Sequence, residues 1–286
     1  MSLLTSPFSY DFRRYALAAG VLVGILCPVV GAYLVVQRMG LLGDVVAHAV
    51  LPGLAIAHFF QLPLTVGAFI FGMASTFATS WIRTQSKLKV DTAMAITFSS
   101  FFALGIVLVT VFRTQFDLEA LLFGDILRIT QTDVWQIALI TTVVLVLIKL
   151  FYKELLYFTF DDAGAQATGL PIQVLNFGLM AAITLTIVAG IQTVGVILVV
   201  ALMVTPSATA YLLVKELHWM MAVGAALGAS GSVVGIYVSY YFDVPCGPAI
   251  ALTVLVWFLA AFLFSPSQGI LMRYFPTRHN RSSNMK

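Results

Sequence analysis

Long apolar stretches separated by short polar clusters recur along nearly the whole chain, at about 15–36, 42–60, 64–82, 92–112, 134–157, 173–190, 195–213, 219–241 and 247–265. Each is near the ~20 residues that a helix needs to cross the hydrocarbon core of a bilayer. Polar and turn residues mark the breaks, as at 83–89 and 161–165. The stretch 173–213 is too long for one crossing, because about 40 helical residues would rise roughly 60 Å. Gly190, Gln192, Thr193 and Gly195 put a reversal inside it. The pattern predicts an all-α, polytopic membrane protein of about nine spans. It forms one transmembrane domain, 1–286, with an N-terminal segment 1–14, a loop at 158–172 and a basic tail at 266–286.

Composition agrees with the pattern. Hydrophobic residues make up 60% of the chain and charged residues 9%, against about 25% charged in a soluble domain. There are too few polar groups to cover a water-facing surface. The net charge of +3 matters less than its distribution, because Lys and Arg concentrate on the cytoplasmic side. With the 158–172 loop inside, Arg38, Arg83, Lys87, Lys89, Lys149, Lys153, Lys215, Arg273, Arg278, Arg281 and Lys286 fall inside, and Arg13, Arg14, Arg113 and Arg128 outside. That arrangement puts the C-terminus inside and the N-terminus outside. Merging one pair of spans gives eight and puts Arg13 and Arg14 inside instead.

Several function classes drop out. Residues 1–11 lack the basic start and apolar stretch of a cleavable signal. No GxxxxGK[ST] occurs, so the chain binds no nucleotide through a P-loop. The cysteines, Cys27 and Cys246, are too far apart for a motif; Cys27 reads as a small buried hydrophobe, and Cys246 as a residue of a solvent-facing loop.

The second span carries the chemistry. Asp44 is the one carboxylate deep in a predicted span, and His48 follows four residues later. On a helix that spacing stacks both side chains on one face, ~5–6 Å apart at Cβ. An ionisable residue in the membrane is costly and points to a pathway or an ion site. Carboxylate oxygen with imidazole nitrogen suits Mn²⁺, Fe²⁺ or Zn²⁺, whereas Mg²⁺ and Ca²⁺ prefer oxygen alone. Ala49, Gly53 and Ala57 fall on the opposite face, and small residues at every fourth position let helices approach closely in lipid. Pro52 has no N–H for the carbonyl of His48, which makes it a candidate hinge beside the pair. The plainer alternative is that Asp44 and His48 pair with each other or cap the helix. Two ligands do not fill a coordination sphere, so a second copy, water or another helix has to add the rest. His58 reads as a membrane-interface residue, and His218 and His279 as solvated ones.

Two further segments stand out. Phe160-Asp-Asp-Ala-Gly-Ala-Gln-Ala-Thr-Gly-Leu-Pro-Ile places acids before an Ala-rich turn and ends on Gly169 and Pro171, the stop signals of a short helix. Asp161, Asp162, Ala163, Gly164, Ala165 and Gly169 form a candidate docking element for a partner, or a plain connecting loop. In the seventh span, Pro206 frees the carbonyl of Leu202, which Ser207 or Thr209 could take up. Pro206 is thus a second candidate hinge, or a structural kink.

In order along the chain, Gln37-Arg-Met-Gly-Leu-Leu-Gly-Asp-Val-Val-Ala-His-Ala-Val-Leu-Pro-Gly, Ile96-Thr-Phe-Ser-Ser-Phe-Phe-Ala-Leu-Gly-Ile, Leu121-Leu-Phe-Gly-Asp-Ile-Leu, the 163–169 turn and the segment 194–210 resemble the permeases of bacterial zinc, manganese and iron ABC importers. The resemblance covers nearly the full length, and its wording is closest to the manganese branch. It implies the fold of the vitamin- and siderophore-importing permeases, the type II importers. It further implies a homodimer around a pore, cytoplasmic ABC ATPase subunits beneath it, and an extracytoplasmic metal-binding protein that delivers Mn²⁺, or else Zn²⁺ or Fe²⁺. The family's metal-site Asp and His fall on Asp44 and His48, and its docking helix on 161–170. Many members carry Ser where this chain has Ala47, which removes a hydroxyl but no expected ligand.

The expected protein is therefore a multi-pass permease of the bacterial plasma membrane. It is surrounded by lipid, performs no chemistry of its own, holds no cofactor and binds no nucleic acid. A proton-coupled carrier using Asp44 and His48 as a relay is the rival of a different class. An intramembrane metalloenzyme is disfavoured, because no HExxH occurs and one Asp–His pair gives too few ligands for a catalytic zinc.

Overall fold

The computed structural model describes residues 11–113, 124 and 129–265. Its helices are α1 (Asp11–Val36), α2 (Leu42–Ala49), α3 (Leu51–Phe59), α4 (Leu64–Gln85), α5 (Val90–Val111), α6 (Gln131–Leu150), α7 (Tyr152–Phe160), α8 (Asp162–Ala167), α9 (Ile172–Val194), α10 (Val196–Leu213), α11 (Leu217–Phe242) and α12 (Cys246–Phe264). Among the described residues nine helical segments are long and apolar enough to cross a membrane, with α2 and α3 together making one crossing. The expected reversal falls at Gly195, which joins α9 directly to α10 with a φ of +84°. That backbone conformation is one that glycine adopts without steric cost.

Small residues decide how the helices meet. In a bilayer, helices gain little from burying apolar surface and pack where backbones can approach. The centre is α1, packed against α10 and α11. A Cβ on Gly24 would lie 2.7 Å from the carbonyl oxygen of Gly228, so α1 and α11 touch nearly backbone to backbone. The second group is α2–α5, and α9 contacts both groups. Outward-facing positions such as Trp135, Leu139 and Phe264 are large, apolar and exposed, as a lipid-facing surface requires.

Three expectations need correction. The fifth span, expected over 134–157, ends at Leu150, and α7 starts anew after a break at Phe151. Lys149, Lys153 and Glu154 crowd this stretch, and such groups leave the hydrocarbon region for the interface. The Pro206 region also differs: α10 runs unbroken through Pro206, and neither expected hydroxyl takes the Leu202 carbonyl. Ser207 Oγ instead has two acceptors for its one proton, Met203 O at 2.7 Å and Pro28 O on α1 at 2.9 Å, and Thr209 Oγ1 donates to Thr205 O. Cys246 is the first residue of α12 and half-buried, not part of an open loop. The expected tail 266–286, His279, residues 1–10 and the Leu121 motif apart from Gly124 lie outside the described residues.

Candidate metal-transport site

Asp44 sits in the first turn of α2 and His48 in its last. A Cβ on neighbouring Gly43 would lie 3.3 Å from Met203 Sδ. Met203 is the eighth of the 18 residues of α10, so the pair stands near mid-height of that helix. His48 Nδ1 is 3.4 Å from Asp44 Oδ1 and 3.0 Å from the Asp44 carbonyl oxygen. The Asp44 side chain is 45% exposed and that of His48 20%, so the pair opens onto the surface of the chain.

Pro52 shapes the middle of this crossing. The helix is interrupted at Val50, and Pro52 occupies the first turn of α3, where its missing N–H costs nothing. The small-residue face then meets α4: a Cβ on Gly53 would run into the carbonyl oxygen of Gly67, and one on Gly67 would reach within 2.7 Å of Ala57 Cβ. On another side, Gly105 of α5 comes so near α3 that a Cβ there would lie 2.7 Å from Leu51 Cβ and 3.1 Å from Pro52 Cδ.

That approach carries two aromatic residues to His48. Phe98 and Phe102 lie two turns and one turn before Gly105 on α5, and their ring centroids stand 5.1 Å and 5.7 Å from the imidazole. Sequence reasoning gave neither residue a role. The i, i+4, i+7 spacing of Phe98, Phe102 and Gly105 was the available signal, but it does not say which neighbour that stripe meets. No cluster of three or more His, Cys, Asp or Glu able to hold a metal occurs among the described residues. His218 is not brought to the pair; it stands 3.3 Å from Glu216 and against Trp219. His58 lies in the last turn of α3, ten residues beyond His48.

The 158–172 segment holds the end of α7 and the six-residue α8. Asp161 caps α8, its Oδ1 accepting from the Gly164 N–H at 2.8 Å. A Cβ at Gly164 would collide with that carboxylate. The helix stops at Gly169, whose φ of +79° allows the Gly169 and Leu170 N–H groups to bond the Gln166 and Ala165 carbonyls. This is the Schellman closure that a glycine after the last turn permits. Ala165 is buried, and Asp161 and Gly169 are exposed.

Residues 9–265 match the ABC 3 transport family. The chain belongs to that family. A manganese transport system membrane protein, MntC, of Halalkalibacterium halodurans is 44% identical over 290 residues, covering 100% of this chain and 99% of that protein. A probable iron transport system membrane protein of Haemophilus influenzae is 42% identical, covering 96% and 97%. The solved PsaBC from Streptococcus pneumoniae in complex with Fab contains a chain with a TM-score of 0.85 at 37% identity, covering 96% of this chain and 99% of that one. Family membership and the nine apolar crossings make this a multi-pass protein of the bacterial plasma membrane with an ABC permease fold.

Proposed function

We propose that the chain is the membrane-spanning subunit of an ATP-driven importer for a divalent transition metal, Mn²⁺ first and Fe²⁺ second. The observation that carries this reading is the Asp44–His48 pair, set level with the middle of α10 and open to the surface of the chain. Manganese is the cargo named for several relatives of about 40% identity, and iron that of the Haemophilus relative. Carboxylate and imidazole are donors that both metals accept. The pair gives a passing ion two ligands, with water and a second copy of the chain supplying the others. The half-exposed Asp44 favours such a homodimer, because facing copies would close the open side of each pair into a shared lumen.

ATP hydrolysis belongs to separate cytoplasmic subunits, which the α7–α8 element receives, and a metal-binding protein delivers the ion from outside. The Lys and Arg distribution supports α7–α8 facing the cytoplasm. Membership of an ABC family favours this drive over a proton-coupled carrier. Proteoliposomes holding the chain with its ATPase should take up Mn²⁺ only when ATP is supplied, at a rate that a protonophore leaves unchanged. Uptake without the ATPase, or uptake abolished by the protonophore alone, contradicts the reading.

The docking role makes a separate prediction. Ala165 is buried within the α7–α8 turn, so Ala165→Glu introduces a charge there and deforms the capped loop. We expect co-purification of the ATPase with this variant to fall several-fold while the amount of the chain in the membrane holds. Unchanged co-purification would remove α7–α8 from the docking surface.

A further inference from the structure

Two oxygens of Asp44 converge on one nitrogen of His48. The carbonyl oxygen lies 3.0 Å and Oδ1 3.4 Å from Nδ1. Both are acceptors, so the nitrogen between them carries the proton. A neutral imidazole has one N–H, and its lone pair is then on Nε2. The ring is not free to swing out of this pose. Phe98 and Phe102 meet it at interplanar angles of 72° and 73°, the edge-to-face geometry that aromatic rings prefer. The two phenyl rings also lie parallel to each other, 5.8 Å apart with 3° between planes, and so form a continuous wall along α5. Gly105 sets that wall at contact distance, because α5 could not approach Leu51 and Pro52 with a side chain there.

We infer that Nε2 is the atom of His48 that meets the metal ion, and that Phe98 and Phe102 are positioning residues that hold the imidazole with Nε2 outward. The inference rests on the reading of Asp44 and His48 as the metal station. Histidine ligands generally donate their second ring N–H to a carboxylate or carbonyl, which fixes the tautomer and the ring orientation. Here one residue, a single turn earlier on the same helix, supplies both kinds of acceptor. Asp44 Oδ2 is left for the ion or its water shell. The phenyl wall also keeps water from one side of the imidazole, so the ion approaches from the open side alone.

The test uses the full chain with His58, His218 and His279 replaced by Gln, leaving His48 as the single ¹⁵N-labelled histidine. Long-range ¹H–¹⁵N spectra then report its tautomer directly, and Mn²⁺ alone serves as the binding probe. The expected result is an Nδ1–H tautomer, with Mn²⁺ broadening centred on Nε2. Phe98→Leu with Phe102→Leu should mix the tautomers and weaken Mn²⁺ binding by about 10- to 100-fold. Phe98→Tyr, which keeps the ring, should retain the wild-type spectrum and affinity. An Nε2–H tautomer in the wild-type background overturns the inference, and that measurement stands even if the leucine variant fails to fold. A leucine variant with wild-type tautomer and affinity overturns it too. If Mn²⁺ leaves the His48 signals untouched, the metal-station reading itself is overturned and the inference falls with it.

Discussion

Replacing Gly53 by leucine is expected to remove the folded protein from the membrane, not to weaken transport by a folded one. A Cβ at position 53 would run into the Gly67 carbonyl oxygen, stand about 2.5 Å from the Gly67 carbonyl carbon and 3.0 Å from Phe71 Cβ. Two of these three atoms are backbone, and a helix backbone cannot turn aside as a side chain can. Overpacking a well-filled core costs about 1–3 kcal/mol and occasionally more. A leucine forced between two helix backbones belongs at or above that upper end, a large share of the ~5–15 kcal/mol that holds a domain folded. The same crossing fixes α3 against α4 and, through Pro52 and Gly105, α3 against α5, so the site would lose its frame. Gly178 on α9 is the matched control, since a Cβ there meets nothing within 4 Å. Size-exclusion profiles of detergent extracts check the prediction. Gly53→Leu should lose the monodisperse peak and Gly178→Leu should keep it, whereas a monodisperse Gly53→Leu protein of normal yield would contradict the packing account.

The parts of this architecture that follow from spacing along the chain were legible in the sequence. The nine crossings, the break at Gly195 and the short capped helix ending at Gly169 all depend on residues within a few positions of one another. The small face Ala49–Gly53–Ala57 was legible for the same reason, although its partner Gly67 was not. What stayed hidden depends on which helix lies beside which. Ser207 looked like a local substitute for a lost helical bond, yet it also bonds Pro28, 179 residues away. The end of the fifth span was misplaced because 134–157 is apolar enough on average to hide the break at Phe151. Asp44 and His48 could be picked out because charge in an apolar helix is conspicuous. Phe98 and Phe102 could not, because phenylalanine in an apolar helix is ordinary until a neighbour gives it a task.

The second large effect concerns the pair itself. Asp44→Ala removes the carboxylate and its negative charge, and leaves His48 Nδ1 only the carbonyl acceptor. His48→Ala removes the imidazole that stands beside Asp44. Either change leaves an incomplete half-site in each copy, and loss of a direct donor should exceed the 10–100-fold cost typical of losing a supporting one. Neither substitution adds volume, and both side chains are partly exposed, so membrane insertion and ATPase association should persist. His58→Ala, one helix further on, is the control that should transport normally.

Uptake of radiolabelled Mn²⁺ by ATP-loaded proteoliposomes, measured side by side for wild type, Asp44→Ala, His48→Ala and His58→Ala, is the most direct measurement of this account. It predicts that both site variants fall to the ATP-free background, more than about 100-fold below wild type, while their complexes still assemble and hydrolyse ATP. Uptake by either Asp44→Ala or His48→Ala at the rate of wild type and His58→Ala would contradict it.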